Sequence, residues 1–409
     1  MLVPVLLAVG AAELAARLLV PRTRPIDPDP VDVHSHFSDA EIERGARYAR
    51  PQLALAMARA GIDAVALVVF VRRRPPRLLD GLPDSARGGA AAAAMMSIVL
   101  SLPSLPLTAI ARRRAIAVGL ITQSWRGWTV DLIKANAIQS VMAAGAGGVV
   151  VAVTRRVPRF WWAPAAAGSV LFGAVLAAVA PVLLDPVFNR FTRLPDGQTR
   201  ADVLELARDA GVKVGEVYSV DASRRTTAAN AYVAGLGPTK RVVLFDTLLD
   251  RYSRDEVRVV VAHELAHVRH RDVPRSVVYA AIVAPTALLA IQRLSWTLSA
   301  ESGTAAMLPP LALAAALVSA PLGLIGDHLS RSVERRADAS SLELAQAPEA
   351  FISFERAIAL QNVADLDPPR WVRALLATHP STTERIGFAV RYLEDHAGAP
   401  APAPTQPRD

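Results

Sequence analysis

At 409 residues the chain is long enough for two or three soluble domains, yet 52% of it is apolar and only 20% charged, which excludes an ordinary soluble enzyme and points to a membrane protein. The formal charge of +8 comes almost wholly from arginine, and the arginines bunch at the ends of apolar runs, a pattern of membrane anchoring that argues against nucleic acid as a partner and for contact with membrane lipid. Cysteine is absent, so disulfides, thiolate catalysis and cysteine metal sites are excluded.

In chain order, residues 1–20 are apolar apart from Glu13 and Arg17, with neither a basic start nor a clean cleavage site, and read as a retained first span. A polar helix is expected at 38–50 and a second span at 53–71, carrying Arg59 and Asp63. The third span, 90–111, should kink at Pro103 and Pro106. Residues 118–139 read as an interfacial amphipathic helix with Trp125 and Trp128 at headgroup depth, leading into a Gly/Ala-rich fourth span at 137–153. The fifth span is 163–184. Residues 1–185 thus form an N-terminal membrane region of five spans.

From 186 to 274 the composition is that of a soluble domain. A helix is expected at 199–209 and strands at 214–220, 230–233 and 241–245, the last two joined by a turn at Gly235-Leu236-Gly237-Pro238. Two more spans, 277–294 and 310–326, lie within a membrane segment at 275–328. Residues 329–395 read as soluble and helical, and 396–409 as a disordered Ala/Pro-rich tail.

The chemistry concentrates at His263-Glu264-Leu265-Ala266-His267. On a helix the two histidines point to the same side, where both imidazoles reach one metal ion, and Glu264 can take a proton from the metal's water. The bland alternative is an amphipathic helix with two hydrogen-bonded surface histidines. A zinc site needs a third protein ligand, and the best candidate is Glu334, with Asp338 one turn on to hold the outer nitrogen of a ligating histidine. His270, His328 and His379 are the rivals.

These features resemble the CAAX prenyl endopeptidase family, integral-membrane zinc metallopeptidases of yeast and animals with bacterial members. The likeness rests on HELAH at 263–267, ERRAD at 334–338, NAYVAG and KRVVLFDTLL within 230–249, THPSTTERI at 378–386, PVFNRF near 188 and WTVDLIK at 128. It implies a multi-pass α-helical membrane fold, about seven transmembrane helices around a water-filled chamber, with a zincin-like domain containing a small β-sheet. It implies Zn2+ held by His263, His267 and Glu334, Glu264 as base and Asp338 as the partner behind the metal. By the same resemblance Asn230, Ala231 and Tyr232 form an edge strand that pairs with an extended substrate, and His379 and Arg385 lie near the zinc; an ion pair of Arg385 with Asp338 or Glu334 is the alternative for that arginine. Arg59, Asp63, Asp131 and Lys134 become candidates for the chamber wall, or else charges that snorkel to the interface. One departure stands out. The family usually has a histidine shortly before the Asn-Ala-Tyr segment, where this chain reads Thr227-Ala228-Ala229, which puts any contact that histidine makes in doubt.

The expected function is zinc-dependent endoproteolysis of a peptide or membrane-associated protein, resembling enzymes that process C-terminal prenylated CAAX peptides. The alternatives are broad quality control of membrane proteins and an inactive channel or scaffold. The expected location is the bacterial plasma membrane, with the site on the cytoplasmic side. Arg112 to Arg114 support that orientation, while Arg72 to Arg74 and Arg155-Arg156 oppose it; two spans between His267 and Glu334 return the chain to one side.

Overall fold

In lipid a chain must satisfy its own backbone, and the apolar runs do so as long helices. The computed structural model describes residues 2–22, 27–73, 79, 81–235, 240–299 and 302–397; the expected turn beyond Gly235 and the tail after residue 397 lie outside them. The membrane region comprises α1 (Leu2–Leu19), α2 (Asp39–Arg73), α3 (Ala86–Ser101), α4 (Leu105–Ala117), α5 (Trp125–Arg156) and α6 (Trp162–Leu183), extended by the single turn α7 (Asp185–Phe188). Then come β1 (Phe191–Arg193), α8 (Gln198–Asp209), β2 (Glu216–Val220), β3 (Ala231–Ala234), β4 (Arg241–Phe245), α9 (Asp246–Arg251) and α10 (Arg254–Arg269). The chain re-enters the membrane region through α11 (Asp272–Leu298) and α12 (Leu308–Ala345), and ends in α13 (Pro348–Gln361), α14 (Arg370–Leu375) and α15 (Thr382–His396).

Among the described residues five helices are long and apolar enough to cross a membrane, or six when the pair α3–α4, bent by 51°, is counted as one broken span. The bend falls at residues 102–104, where Pro103 interrupts the helix as expected. The remaining apolar run is α1, 18 residues and so roughly 27 Å long, packed on α11 and α12 through Ala8, Ala12 and Ala15. Helices α2, α3, α5, α6, α11 and α12 each touch the next, and α12 returns to α2, closing a ring. At most 28% of any span's apolar window is buried against other parts of the protein.

Three expected breaks are absent. The polar helix and second span are one 35-residue helix, α2, continuous through Pro51. Proline leaves the carbonyl four residues back without its donor, and here that carbonyl, on Arg47, accepts from Arg114 Nη2 at 3.1 Å. The interfacial helix and fourth span are likewise one element, α5, but it starts only at Trp125, capped by Ser124 Oγ accepting from Gly127 N at 3.1 Å. Residues 118–119 instead form a turn at the end of α4, and Ile121 pairs opposite Thr226. The seventh span and the ERRAD segment are also one helix of 38 residues, α12.

Helices α3 and α5 approach closely because both carry glycine pairs at the crossing. A Cβ on Gly147 would lie 2.4 Å from Ala93 Cβ and 2.6 Å from the Gly89 carbonyl oxygen. Gly147→Val is therefore expected to destabilise the protein by ~1–3 kcal/mol, read as a lower melting temperature in detergent.

The small sheet has strand order β1-β2-β4-β3, with β2 and β4 parallel and the outer pairs antiparallel. Its inward residues Val217, Ala231, Val242 and Leu244 pack against Val203 and Leu206 of α8 and Val257, Val261 and Leu265 of α10. Each fully buried leucine here contributes on the order of 1.5–3 kcal/mol. Strand β3 is an edge, hydrogen-bonded on one side to β4, and it lies against α10. β1 was not expected; at three residues inside PVFNRFTR it is too short to show an alternating pattern.

Candidate metal centre

Helix α10 begins with a full capping box: Ser253 Oγ accepts from Glu256 N at 3.3 Å, and Glu256 Oε2 accepts from Ser253 N at 2.7 Å. Arg254 locks this end to α8 through Asp202, at 2.5 and 2.7 Å. A run of buried valines, with Ala262, Leu265 and Ala266, fixes which face is inward. His263, Glu264 and His267 consequently sit at the boundary of the core. The imidazole rings of His263 and His267 lie edge to face, 4.9 Å between centroids.

Helix α12 crosses α10 on small residues. Ala337, Ser340 and Ser341 allow the close approach, and Ser341 Oγ donates to the Val259 carbonyl at 2.8 Å. That contact delivers Glu334 and Asp338, one turn apart, to the histidines. Glu334 Oε2 is 3.3 Å from His263 Nε2, and Glu334 Oε1 is 3.7 Å from His267 Nε2. Among the described residues His263, His267 and Glu334 are the group whose ligand atoms lie within 4.8 Å of one another.

Behind these atoms each imidazole is held by a carboxylate. His263 Nδ1 is 2.9 Å from Asp338 Oδ1, and His267 Nδ1 is 2.9 Å from Asp272 Oδ2. With both Nδ1 atoms carrying the proton, the two Nε2 lone pairs point at each other across 3.2 Å. Two such lone pairs beside a carboxylate repel unless a cation lies between them. The donor set therefore fits a metal, and two nitrogens with one oxygen suit zinc with an open fourth position.

Two of the three rivals for third ligand are occupied elsewhere. His270 Nε2 meets Ser340 Oγ at 3.0 Å, and His328 Nδ1 is 3.4 Å from Arg331 Nη2. His379 does reach the centre, with Nδ1 2.9 Å from Glu334 Oε2. That hydrogen bond holds its imidazole charged to higher pH than an ordinary histidine.

Arg385 pairs with Asp338 through Nε at 2.9 Å and Nη2 at 2.6 Å, and its Nη1 is 2.6 Å from Glu355 Oε1. All three guanidinium nitrogens are thus engaged, and Glu334 is not among their partners. Asp338 and Glu355 are almost wholly buried. The result is a chain of contacts from Glu355 through Arg385 and Asp338 to His263. Glu264 makes no hydrogen bond or ion pair among the described residues, and burial raises its carboxyl above the ordinary range.

Residue reading alone did not find Asp272, Arg336 or Glu355. Asp272 opens α11 immediately after Arg271, whose left-handed φ of 57° turns the chain between the two helices. Arg336 neutralises Asp272 in a direct ion pair. An aspartate five residues after His267 was the available signal for Asp272. Nothing local marks Glu355, because Arg385 reaches it from α15.

Burial pushes the Glu355 carboxyl up to about 7 from an ordinary 4.5, against the lowering effect of Arg385. The folded state then holds this proton more tightly than the unfolded state, so the group's contribution is complete below about pH 4.5 and lost as pH rises through about 7. Glu355→Gln is expected to flatten the fall of melting temperature across that window, measured by melts at a series of pH values. An unchanged slope contradicts it.

The expected substrate strand is an edge. Asn230 O accepts from Phe245 N at 3.0 Å, and Tyr232 donates its hydroxyl to Asp185 Oδ2 at 3.0 Å. Tyr232 is thus anchored to the end of the membrane region, and its half-buried hydroxyl is held protonated by that burial and by Asp185. The neighbouring Thr227, where the histidine is missing, is fastened through its carbonyl to Gln361 Nε2 and through its N–H to Leu120 O at 3.1 Å. Asp131 and Lys134 are engaged with Arg225 and the Val187 carbonyl, at 2.8 and 3.1 Å.

The family model "Peptidase family M48" matches residues 193–392, and "CAAX prenyl protease N-terminal, five membrane helices" matches residues 23–190. The chain is 28% identical over 305 residues to the uncharacterized metalloprotease YhfN of Bacillus subtilis, covering 72% of this chain and 71% of that one. It is 38% identical over 102 residues to CAAX prenyl protease 1 of Saccharomyces cerevisiae, a match spanning 25% of this chain and only 22% of the yeast protein. The crystal structure of S. mikatae Ste24p superposes with a TM-score of 0.79 at 18% identity, covering 95% of this chain and 98% of that one. At that identity the likeness is one of fold.

Proposed function

Because the chain belongs to peptidase family M48 and is an integral-membrane metallopeptidase, we propose that it is a zinc-dependent endopeptidase acting on extended segments of membrane-associated polypeptides. The observation that carries this is the meeting of His263, His267 and Glu334 beside the carboxylate of Glu264.

His263, His267 and Glu334 would hold the ion, with Asp338 and Asp272 fixing the imidazoles so that both Nε2 atoms face it. Zinc bound there supplies Lewis acidity and a more acidic water. Glu264 takes the proton of the attacking water and returns it to the leaving amine; its partial burial strengthens it as a base. Asn230 and the edge β3 that follows it, with Ala231 and Tyr232, pair with the substrate backbone, which orients a scissile carbonyl without selecting side chains. His379, held through Nδ1 by Glu334 and exposed, donates to the developing oxyanion. Arg385 acts as a positioning residue, since its nitrogens are committed to Asp338 and Glu355.

We assign the site to the cytoplasmic side of a bacterial plasma membrane. The chain has no cysteine, so single introduced cysteines beside β3 and in the loop between α11 and α12 give a clean labelling test. Labelling of the first only from inside the cell and of the second only from outside supports the assignment; the reverse overturns it.

Cleavage of reconstituted substrates tests the function. Cuts near a lipidated C-terminal cysteine identify a processing enzyme of the CAAX kind, and cuts spread over unfolded membrane proteins identify quality control. No hydrolysis of either set by metal-loaded protein overturns the enzyme reading and leaves a scaffold.

A further inference from the structure

A cleft of about 510 Å³ lies between the start of α5 and the short helix α7, lined by groups that take no part in the metal centre. Five cationic side chains line it, Arg126, Lys134, Arg190, Arg224 and Arg225, against one carboxylate, Asp131. Some of this charge is spent. Arg225 pairs with Asp131 at 2.8 Å and donates to Asn189 Oδ1 at 2.7 Å, while Arg224 lies 3.3 Å from Asp221. Lys134 donates once, to the Val187 carbonyl at 3.1 Å, and keeps two protons. The side chains of Arg126 and Arg190 make no hydrogen bond or ion pair among the described residues, and both are exposed. The cleft is therefore a cationic site with unspent donors.

Its depth and its walls identify the kind of anion. Trp125 and Trp128, edge to face with centroids 5.4 Å apart, lie in the same first turn of α5, and paired tryptophans of this sort mark the headgroup level. The wall continues into exposed apolar surface: Val130 is 45% exposed, Ile133 64% and Val187 40%. A soluble anion has no use for that surface, whereas an acyl chain does. Basic pockets between membrane helices at this depth are suited to anionic headgroups.

We infer that this cleft binds the phosphate-bearing headgroup of an anionic phospholipid, held by Arg126 and Arg190, with its acyl chains along Val130 and Ile133. The bound lipid also touches Arg224 and Arg225, on the loop that runs on into β3, so the membrane steadies the strand beside the metal centre. Lipid binding here is independent of whether the metal centre hydrolyses peptides.

The test uses metal-loaded protein in a neutral detergent, titrated with dihexanoylphosphatidylglycerol, dihexanoylphosphatidylcholine or inorganic phosphate, with melting temperature as readout. Phosphatidylglycerol is expected to raise the melting temperature saturably and phosphatidylcholine to leave it unchanged. The double variant R126A/R190A should weaken the phosphatidylglycerol response by about 30-fold, and R126K/R190K should retain most of it. Metal content equal to wild type shows that the variants are folded. Equal responses of R126A/R190A and wild type overturn the site, as does a phosphatidylcholine response matching that of phosphatidylglycerol. Saturation by inorganic phosphate at the same concentration overturns the lipid assignment in favour of a soluble anion.

Discussion

Glu264→Gln is expected to lower peptide hydrolysis by ~10²–10⁴-fold while the protein keeps its metal. Glutamine matches the shape of glutamate but cannot accept the proton of the attacking water. The change leaves the ligand atoms of His263, His267 and Glu334 untouched, and Glu264 has no bond among the described residues whose loss would disturb the fold. Rate and metal content must be measured on the same preparation. Hydrolysis within a few-fold of wild type, with metal present, contradicts the assignment of Glu264 as base.

Glu334→Gln is expected to fail in the opposite order, losing metal first and activity as a consequence. The substitution replaces the one charged ligand by a weak neutral one, and removes the acceptor that holds His379 at 2.9 Å. The loss of metal affinity should exceed the ~10–100-fold typical of removing a group behind the ligands. Asp338→Asn supplies that smaller comparison, since Asp338 contacts His263 and not the ion. Competition with a zinc chelator orders the variants. A ligand bound at 100 times its Kd stabilises the folded state by about 2.7 kcal/mol, so stripping zinc should lower the melting temperature of wild type and leave Glu334→Gln nearly unchanged. Equal zinc affinity in wild type and Glu334→Gln contradicts the ligand set.

The parts of the site legible in the sequence were those whose geometry is local. His263 and His267 share a helix face by spacing alone, and Glu334 and Asp338 share another. What brings the two faces together, the run of small residues from Ala337 to Ser341 against Val259, has no periodic signature and appears only on packing. Glu355 was illegible for the same reason, as its partner Arg385 sits on a different helix. Apolar runs located the membrane helices well, but polar residues concealed that the helices continue. Pro51 in α2 reads as a break until Arg114 is seen to satisfy the carbonyl it frees, and the charged segment after residue 326 reads as a new element although α12 carries it rigidly from the membrane to the metal centre. The cationic cleft escaped notice because its arginines come from three separate segments.

The central claim, one metal at the junction of α10 and α12, is tested most directly by anomalous diffraction at the zinc edge on crystals of the purified protein. The account predicts a single strong peak about 2.0–2.2 Å from His263 Nε2, His267 Nε2 and a Glu334 oxygen, with Asp272 and Asp338 behind the imidazoles. No peak in zinc-loaded crystals, or a peak on His270, His328 or His379 without Glu334, would contradict it.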